Sequence, residues 1–429
     1  MKLVVTIYER SADAAIEAIR ALRLPHDMVE VRVDAFGPPA PLAAIRAATS
    51  KPIIATNRGG APVDFDAAYG AGIDFVDVEL GHDPGPRRER VVLSHHDYEG
   101  MPNVEGLLRE MPDCAHRKIA VTPRTFADNA RLLGAVTPGV TIIGMGERGL
   151  YARIAAPFFG SELQFVAVDE EHVAAPGQLT LADALAIYRR AGVPPAGQAA
   201  SRRPRRDASQ PAGEDAGATT KLFAIVGNPA AHSRSPMIHN PIFREHGVNA
   251  AYTIASFETF SEIAEPFRNR ERFAPIGMSV TAPFKEEAFE FARKHADVAP
   301  NARDAEAVNT LAWIRGRIVA DNTDVDGFES LVQGSKAALV GAGGTARAAR
   351  VALARKGIPF TVYNRTPREG ARPLEELKDF DGDLIVDTLP VELPMPNIKT
   401  VRAAYKQTAN DLLRAQAIRQ SAIFLEACR

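Results

Sequence analysis

The sequence predicts an α/β protein of two units, an N-terminal (β/α)8 TIM barrel and a C-terminal two-lobed α/β unit. Short β-branched runs alternate with Ala- and Arg-rich helical stretches before residue 190, and a new series of strands begins at residue 221. The 429 residues also exceed the usual limit of one hydrophobic core. We therefore expect a domain over 1–190, a flexible linker over 191–220 and a further α/β unit that begins at residue 221.

The barrel strands are expected at β-branched runs that recur about every 20 to 25 residues. Ser11 is the expected N-cap of the first helix, which ends near Leu22. The predicted strands are 3–7, 29–33, 53–56, 75–79, 91–94, 118–121, 141–143 and 164–167.

Composition limits the possible partners to small molecules. A net charge of -2 gives no reason to expect nucleic acid or anionic lipid, and no apolar run is long enough to span a bilayer. The two cysteines, Cys114 and Cys428, form no CxxC pair, so neither a disulfide framework nor a metal site is indicated. We expect a cytoplasmic protein without a signal peptide.

The predicted linker is rich in Pro, Ala, Gly, Ser and charged residues, a composition that cannot bury a core. Its arginines would suit a nucleic-acid or localisation patch, but we interpret them as part of a solvated linker. They are Arg202, Arg203, Arg205 and Arg206.

Charged side chains lie at or near the ends of the predicted barrel strands, where the catalytic groups of such barrels project. Ordinary rim salt bridges are the alternative interpretation. These residues are Arg32, Arg58, Glu79, His96 and Lys118.

Lys118, which is expected to open the sixth strand, is the strongest candidate among them. The chain has eleven lysines against forty arginines, and Lys118 is the only lysine between Lys51 and Lys221. An amine, unlike a guanidinium, can lose its proton and attack a carbonyl. We expect Schiff-base chemistry at Lys118 with His96 moving protons, while His95 is either structural or the alternative base.

In the second unit, strand 336–340 enters a glycine-rich turn and a helix, an arrangement that can hold a pyrophosphate or form a tight turn without ligand. The next strand, 359–363, precedes Arg365, which favours the 2′-phosphate of NADP unless it is only an exposed loop residue. The expected cofactor-binding residues are Gly341, Ala342, Gly343, Gly344, Thr345, Ala346, Asn364, Arg365 and Thr366.

Lys285 and Asp324 form the expected catalytic pair of the second unit. A lysine beside a carboxylate can deliver a proton to a carbonyl oxygen while hydride arrives at the carbon. A plain surface ion pair is the alternative.

Segments over about residues 1–190 resemble type I 3-dehydroquinate dehydratase. The segments are Glu30-x-Arg32-x-Asp34, Asp77-x-Glu79-Leu80, Ser94-x-His96-Asp97, Lys118-Ile119-Ala120, Arg153 and Ala175-Pro176-Gly177-Gln178. The resemblance implies that Lys118 condenses with the ketone of 3-dehydroquinate and that His96 removes the α-proton. It also implies that Arg153 pairs with the substrate carboxylate, and that hydroxyl contacts or site orientation come from Glu30, Arg32, Arg58 and Gln178.

The chain departs from that family at two places. Loop 57–61 is short and lacks the family's glutamate, and Ala174 stands where a serine is usual. A hydroxyl contact of this kind contributes about 0.5 to 1.5 kcal/mol.

Segments over most of residues 221–429 resemble shikimate dehydrogenase. They are Asn228-Pro229-x-x-His232-Ser233-x-Ser235-Pro236, Val280-Thr281-x-Pro283-Phe284-Lys285-Glu286, Ala307-Val308-Asn309-Thr310, Asp321-Asn322-Thr323-Asp324-x-x-Gly327, the glycine-rich turn and Asn364-Arg365-Thr366. The resemblance implies a substrate-binding domain over 221–325 and a Rossmann-type NADP domain over 326–429 with a returning C-terminal helix. It implies substrate contacts from Ser233, Ser235, Thr281, Asn309, Gln420, Lys285 and Asp324.

The C-terminal region departs most from this second family. Ser279 replaces the usual asparagine, region 387–410 is short, and Phe424 is soon followed by the last residue. Together the two resemblances imply conversion of 3-dehydroquinate to 3-dehydroshikimate and its NADPH-dependent reduction to shikimate. The alternatives are an impaired dehydrogenase half or a metabolite sensor that retains both folds.

Overall fold

The computed structural model describes residues 1–37, 40–58, 60–188, 220–389, 394, 396–403 and 411–429. They form two compact units, one of residues 1–220 and 244–253 and one of 221–243 and 254–429. Nearly all of the predicted linker, with its four arginines, lies outside the described residues. The finer domain boundaries stay a prediction.

The first unit contains an eight-stranded sheet in the order β7-β6-β5-β4-β3-β2-β1-β8, with parallel pairing throughout. Its strands are β1 Lys2–Ile7, β2 Met28–Arg32, β3 Ile53–Thr56, β4 Phe75–Glu79, β5 Val91–Asp97, β6 His116–Val121, β7 Val140–Gly144 and β8 Leu163–Ala167. Its helices are α1 Ala12–Ala21, α2 Leu42–Ala47, α3 Phe65–Gly70, α4 Val104–Glu110, α5 Phe126–Gly134, α6 Gly146–Phe159 and α7 Leu181–Tyr188. The predicted barrel is confirmed.

Side-chain hydrogen bonds join β7 and β8, the two strands at the ends of the sheet order. Thr141 Oγ1 accepts from the Leu163 amide at 3.2 Å, and Ser161 Oγ accepts from the Ile142 amide at 3.0 Å. These bonds satisfy backbone donors that a continuous ladder would otherwise use. The barrel is therefore nearly closed.

Local sequence explains the first helix and corrects one strand boundary. Ser11 caps α1 by accepting from the Ala14 amide at 3.2 Å, as expected. Strand β6 begins at His116, so the expectation that Lys118 opens this strand is wrong by two residues. The Lys118 side chain therefore lies deeper along the strand than expected.

The described residues after 220 form two sheets. The six-stranded sheet, in the order β10-β9-β11-β13-β14-β12, is built from β9 Lys221–Gly227, β10 Ala250–Ser256, β11 Gly277–Val280, β12 Asp297–Val298, β13 Thr310–Ile314 and β14 Arg317–Asp321. The five-stranded parallel sheet, in the order β17-β16-β15-β18-β19, is built from β15 Ala337–Val340, β16 Phe360–Asn364, β17 Ala371–Pro373, β18 Leu384–Asp387 and β19 Lys399–Arg402.

Helices cover these sheets. They are α8 Ser235–Glu245, α9 Ser261–Asn269, α10 Lys285–His295, α11 Pro300–Ala305, α12 Thr323–Leu331, α13 Gly344–Arg355 and α14 Asp411–Ala427. The antiparallel hairpin of β13 and β14 turns through Arg315 and Gly316, both at positive φ, as a two-residue hairpin turn requires. Among the helices described, none has the length and apolarity needed to cross a bilayer.

Candidate active sites

Polar side chains at alternate positions of neighbouring strands line the barrel interior. Asp77 and Glu79 lie on β4, Ser94 and His96 on β5, and Lys118 on β6. Because strand side chains alternate between faces, residues two apart project to the same side. The period of two therefore brings these five groups together.

Lys118 is held by a buried carboxylate. Its Nζ donates to Asp77 Oδ2 at 2.9 Å, lies 4.0 Å from Glu30 Oε1, and sits 4.3 Å from the centroid of the Phe165 ring. Burial alone would raise the pKa of Asp77, but the charges of Lys118 and Arg58 outweigh burial and hold that pKa well below its usual range. Asp77 is therefore a stable anion beside the amine.

His96 is clamped by Glu79. The ring Nδ1 lies 2.7 Å from Glu79 Oε2, and the backbone amide of His96 donates to Glu79 Oε1 at 2.7 Å. Burial, followed by the charge of Lys118, lowers the pKa of His96 to about 4. The imidazole is therefore neutral at pH 7 and can accept a proton. His95 lies on the opposite face of β5 by the alternation of the strand.

Arg58 links the anionic groups. Its Nη1 donates to Asp77 Oδ1 at 3.0 Å and to Glu79 Oε2 at 2.7 Å, and it lies 3.0 Å from Ser94 Oγ. Two carboxylates this close to one another would otherwise repel. The cation of Arg58 thus allows both to stay ionised.

The other residues expected in the barrel site already have protein partners. Arg32 donates to Asp34 through two bonds of 2.9 and 2.7 Å. Glu30 accepts from Thr6 Oγ1 at 2.8 Å and from Thr56 Oγ1 at 2.9 Å. The amide of Gln178 donates to Thr6 Oγ1 at 3.2 Å and accepts from the Ala174 amide at 2.9 Å.

Arg153 is a buried cation without an acidic partner among the described residues. The side chain donates long bonds to the carbonyl oxygens of Pro176 at 3.3 Å and Phe165 at 3.4 Å, and its Nε has no partner there. Burial lowers the pKa of Arg153 to about 10, so the group remains charged at neutral pH. A buried unpaired charge is costly, and an anionic ligand would offset that cost.

A single cavity brings together all seven residues expected in the barrel site. Apolar walls from Ile143, Met145 and Phe165, and Tyr98 at the rim, were not anticipated. Ile143 and Phe165 lie on strands β7 and β8, and Met145 lies two residues after Ile143. The alternation of strand side chains between faces could therefore have indicated that these three residues point into the barrel. The seven expected residues are Glu30, Arg32, Arg58, His96, Lys118, Arg153 and Gln178.

The second site centres on Lys285, the first residue of α10. Its Nζ donates to Asp324 Oδ2 at 2.6 Å and to Thr345 Oγ1 at 2.9 Å. A Cβ at Gly344 would lie 2.8 Å from Lys285 Cβ, so glycine is needed for this close approach. The lysine, the carboxylate and the glycine-rich turn therefore converge.

The polar residues expected to bind the substrate have the following contacts. Asn309 Oδ1 accepts from the Thr323 amide at 2.8 Å, and Asn309 Nδ2 donates to Thr323 Oγ1 at 3.1 Å. Ser233 Oγ donates to Ser235 Oγ at 3.1 Å, and Thr281 is half-buried next to β11. The bonds to Thr323 hold the Asn309 side chain in place.

The amide of Gln420 bonds to the protein at both ends. It accepts from Ser279 Oγ at 2.7 Å and donates to Thr310 Oγ1 at 2.8 Å. Gln416, one turn earlier on α14, is half-buried with its Oε1 3.5 Å from Asn309 Nδ2. The substrate contact expected of Gln420 stays a prediction, and Gln416 is a candidate that the sequence reasoning missed.

The glycine-rich turn has the geometry of a phosphate cradle. Gly341 has φ +106°, and a Cβ there would lie 2.4 Å from Thr388 Oγ1. No side chain caps the N-terminus of α13, which begins at Gly344 directly after Gly343. Free N–H groups at such a terminus suit a pyrophosphate, so the residues present fit a dinucleotide.

Basic residues lie close to this turn. Arg365 is exposed, while Asn364 Nδ2 donates to the Thr366 carbonyl at 2.8 Å. Arg368, which the sequence reasoning missed, donates to the Ala342 carbonyl at 3.1 Å and lines the concavity beside the turn. Arg368 is thus a second candidate for contact with a 2′-phosphate. No cluster of His, Cys, Asp and Glu side chains able to hold a metal occurs within the described ranges.

The fold and the two sites define an α/β protein with two catalytic-type centres, each with a buried lysine beside a carboxylate. The type I 3-dehydroquinase family matches residues 3–194, and the shikimate dehydrogenase substrate binding domain matches residues 225–311. The chain therefore belongs to the shikimate dehydrogenase family through its C-terminal half, and its residues 3–194 match the type I 3-dehydroquinase family model.

Individual relatives agree with this assignment. A chloroplastic bifunctional 3-dehydroquinate dehydratase/shikimate dehydrogenase of Arabidopsis thaliana is 29% identical over 82% of this chain and 62% of its own length. A shikimate dehydrogenase (NADP(+)) of Methanopyrus kandleri is 33% identical over 41% of this chain and 69% of its own length.

Among solved structures, the chain is similar to the dehydroquinate dehydratase and shikimate dehydrogenase from S. pombe AroM. The match covers 100% of this chain and 98% of the S. pombe chain, at 21% identity and a TM-score of 0.36. The chain spans less than two thirds of the length of the first curated relatives that it matches.

Proposed function

We propose that the chain is a bifunctional enzyme of the shikimate pathway. Its barrel would dehydrate 3-dehydroquinate to 3-dehydroshikimate, and its second unit would reduce that product to shikimate with NADPH. The observation that carries the proposal is the convergence, in each unit, of a buried lysine with the other groups that its reaction needs. The domain boundaries at 190, 220 and 325 belong to the same proposal.

In the dehydratase reaction, the Lys118 amine adds to the ketone carbon, and water leaves as the imine forms. Neutral His96 then takes a proton from the carbon next to the imine. The electron pair released forms the new double bond, and the β-hydroxyl leaves as water with the proton returned from His96. Hydrolysis of the imine releases 3-dehydroshikimate and restores the amine, so the net change is the loss of one water.

Arg153 would hold the substrate carboxylate during these steps. The support is its burial and the absence of an acidic partner in the described structure. Glu30, Arg32, Arg58 and Gln178 line the same cavity and would contact hydroxyls or keep the charged groups in place.

In the second unit, Lys285 would donate a proton to the ketone oxygen of 3-dehydroshikimate, and Asp324 would keep the amine protonated and oriented. NADPH, when bound along the turn of Gly341–Thr345, supplies the hydride. Ser233 and Ser235 would bind the carboxylate, and Thr281, Asn309 and Gln420 would bind hydroxyls. Arg365 would contact the 2′-phosphate.

Partners are proposed to be these small molecules alone. The thiols of Cys114 and Cys428 are both free, which is compatible with the proposed reducing cytoplasm.

The first experiment tests the dehydratase half. The protein is incubated with 3-dehydroquinate and reduced with borohydride, and peptides are analysed by mass spectrometry. We expect a ligand mass on the peptide that contains Lys118. Lys118→Arg, which keeps the charge but is not a nucleophile, is the matched control and should carry no adduct. An adduct on a different lysine would contradict the assignment.

The second experiment separates the alternatives. Following enone absorbance and NADPH oxidation with 3-dehydroquinate as the starting substrate measures both reactions in one chain. Enone formation without NADPH oxidation would indicate an impaired dehydrogenase half. Binding of the substrates without either signal would indicate a sensor.

A further inference from the structure

Glu79 contacts His96 at two points. Oε1 accepts from the His96 backbone amide at 2.7 Å, and Oε2 lies 2.7 Å from the His96 ring Nδ1. Both carboxylate oxygens are thus directed at one histidine. This arrangement fixes the position of the backbone and of the ring together.

We infer that Glu79 is a positioning residue that fixes His96 in the tautomer with the proton on Nδ1, which leaves Nε2 as the base of the barrel site. An ionised carboxylate only accepts hydrogen bonds, so the 2.7 Å contact requires a hydrogen on Nδ1. The inference rests on the proposed dehydratase function for its catalytic consequence but not for the tautomer itself.

Arg58 is the competing neighbour. Its Nη1 lies 3.1 Å from His96 Nδ1, and a bond in that direction would need a lone pair on Nδ1. The same nitrogen carries only two hydrogens and lies within 3.0 Å of oxygens of Asp77 and Glu79. The two hydrogens on Nη1 of Arg58 are therefore donated to the two carboxylates, and His96 Nδ1 can carry a hydrogen and donate it to Glu79.

The state of Glu79 supports this assignment. Burial alone would raise the pKa of Glu79, but its hydrogen bond with His96 and the nearby charges lower that pKa below the usual range. Glu79 is therefore an anion at neutral pH. A neutral imidazole bonded to a permanent acceptor has one tautomer open to it.

Glu79→Gln tests the inference because glutamine offers one acceptor where glutamate offers two. If the amide oxygen faces Nδ1, the NH₂ group opposes the His96 backbone N–H. If the amide is flipped, its NH₂ group opposes Nδ1–H and drives the proton to Nε2, which removes the base. Either arrangement should slow dehydration by about 100-fold or more, the usual range for a general base.

The tautomer is read directly by NMR of the folded chain labelled with ¹⁵N at histidine, at pH 7. We expect the Nδ1–H form for His96 in the wild type, and the Nε2–H form or a mixture in Glu79→Gln. Imine trapping at Lys118 by borohydride should persist in this variant, because the amine is held by Asp77 rather than by Glu79.

The chain provides a matched control in Glu162, whose Oε2 lies 3.1 Å from the ring Nδ1 of His116. His116 is the first residue of β6, at the end of the barrel opposite the cavity. Glu162→Gln removes the same kind of contact and should leave dehydration and the His96 tautomer unchanged.

Three results would overturn the inference. They are an Nε2–H tautomer of His96 in the wild type, wild-type turnover in a Glu79→Gln variant, and loss of imine trapping together with turnover in that variant. The wild-type spectrum decides the matter even if the variant fails to fold. If the wild type shows the Nδ1–H form but no dehydration, the proposed function fails while the orienting contact stands.

Discussion

The neutral state of His96 leads to a prediction for mildly acidic solutions. At pH 5.5 an imidazole with a pKa of about 4 is about 97% neutral, whereas one with the ordinary value of about 6.5 is about 9% neutral. The burial of His96 and the charge of Lys118 thus make the neutral fraction of the imidazole at this pH about tenfold larger than it would be at the ordinary pKa. The dehydratase rate that depends on neutral His96 should change little between pH 7.5 and 5.5.

The assay is the rate of enone formation from 3-dehydroquinate under single-turnover conditions across this range. Because imine formation has its own pH dependence, borohydride trapping at Lys118 is measured at each pH and used to normalise the rate. A fall of about tenfold in the normalised rate by pH 5.5 would refute the reasoning.

The lowered pKa of His96 also predicts that the free energy of unfolding of the substrate-free protein depends on pH. The folded chain holds His96 neutral down to about pH 4, while the unfolded chain protonates it near 6.5. The unfolded state therefore binds more protons in this window, so stability is present above pH 6.5 and is lost as pH falls towards 4. The difference of about 2.5 pKa units corresponds to a loss on the order of 3 kcal/mol.

This loss is measured by hydrogen exchange of peptides from β5 and β6 at pH 6.5 and 4.5. Tryptophan fluorescence does not report on these strands, since the one tryptophan, Trp313, lies on β13. His96→Asn is the control and should show a smaller pH dependence than wild type. Equal pH dependence in both proteins would mean that other groups cause the change.

Three further predictions follow from the two sites. Arg153→Met should weaken substrate capture by about 1.5 to 3 kcal/mol, yet raise the unfolding free energy of the ligand-free barrel, because a buried unpaired charge is removed. Steady-state kinetics would measure substrate capture, and denaturation would measure the unfolding free energy. A fall in both quantities would contradict the proposal that Arg153 pairs with the substrate carboxylate. Lys285→Ala or Asp324→Ala should abolish most NADPH oxidation and leave dehydration near its original rate, and loss of both activities in a folded variant would argue against two sites. Arg365→Ala should weaken NADPH more than NADH by about 1.5 to 3 kcal/mol in binding assays, and equal losses would favour another discriminator.

Local sequence was enough to predict the barrel strands and the candidate reactive groups. β-branched runs and their spacing identified all eight barrel strands, since strand preference depends on nearby side chains. Lys118 stood out because a lysine is unusual in an arginine-rich sequence. The glycine-rich turn was recognisable because its backbone geometry admits few other residues.

Distant contacts required the tertiary structure. The spacing along the chain does not reveal that Glu79 bonds to His96, since the pairing depends on the register of β4 with β5. The period of two could have indicated that Asp77 shares a face with Glu79, but not that its carboxylate meets the amine of Lys118.

In the second unit, too, the contacts between distant residues could not be predicted from the sequence. The sequence indicated Gln420 on α14, and only packing shows that its amide bonds to Ser279 and Thr310 and that Gln416 lies near Asn309. The sequence by itself determined the eight barrel strands and the candidate reactive groups of this protein. The tertiary structure decided their partners and the pKa of His96, because hydrogen bonding and burial act between residues that are far apart in the chain.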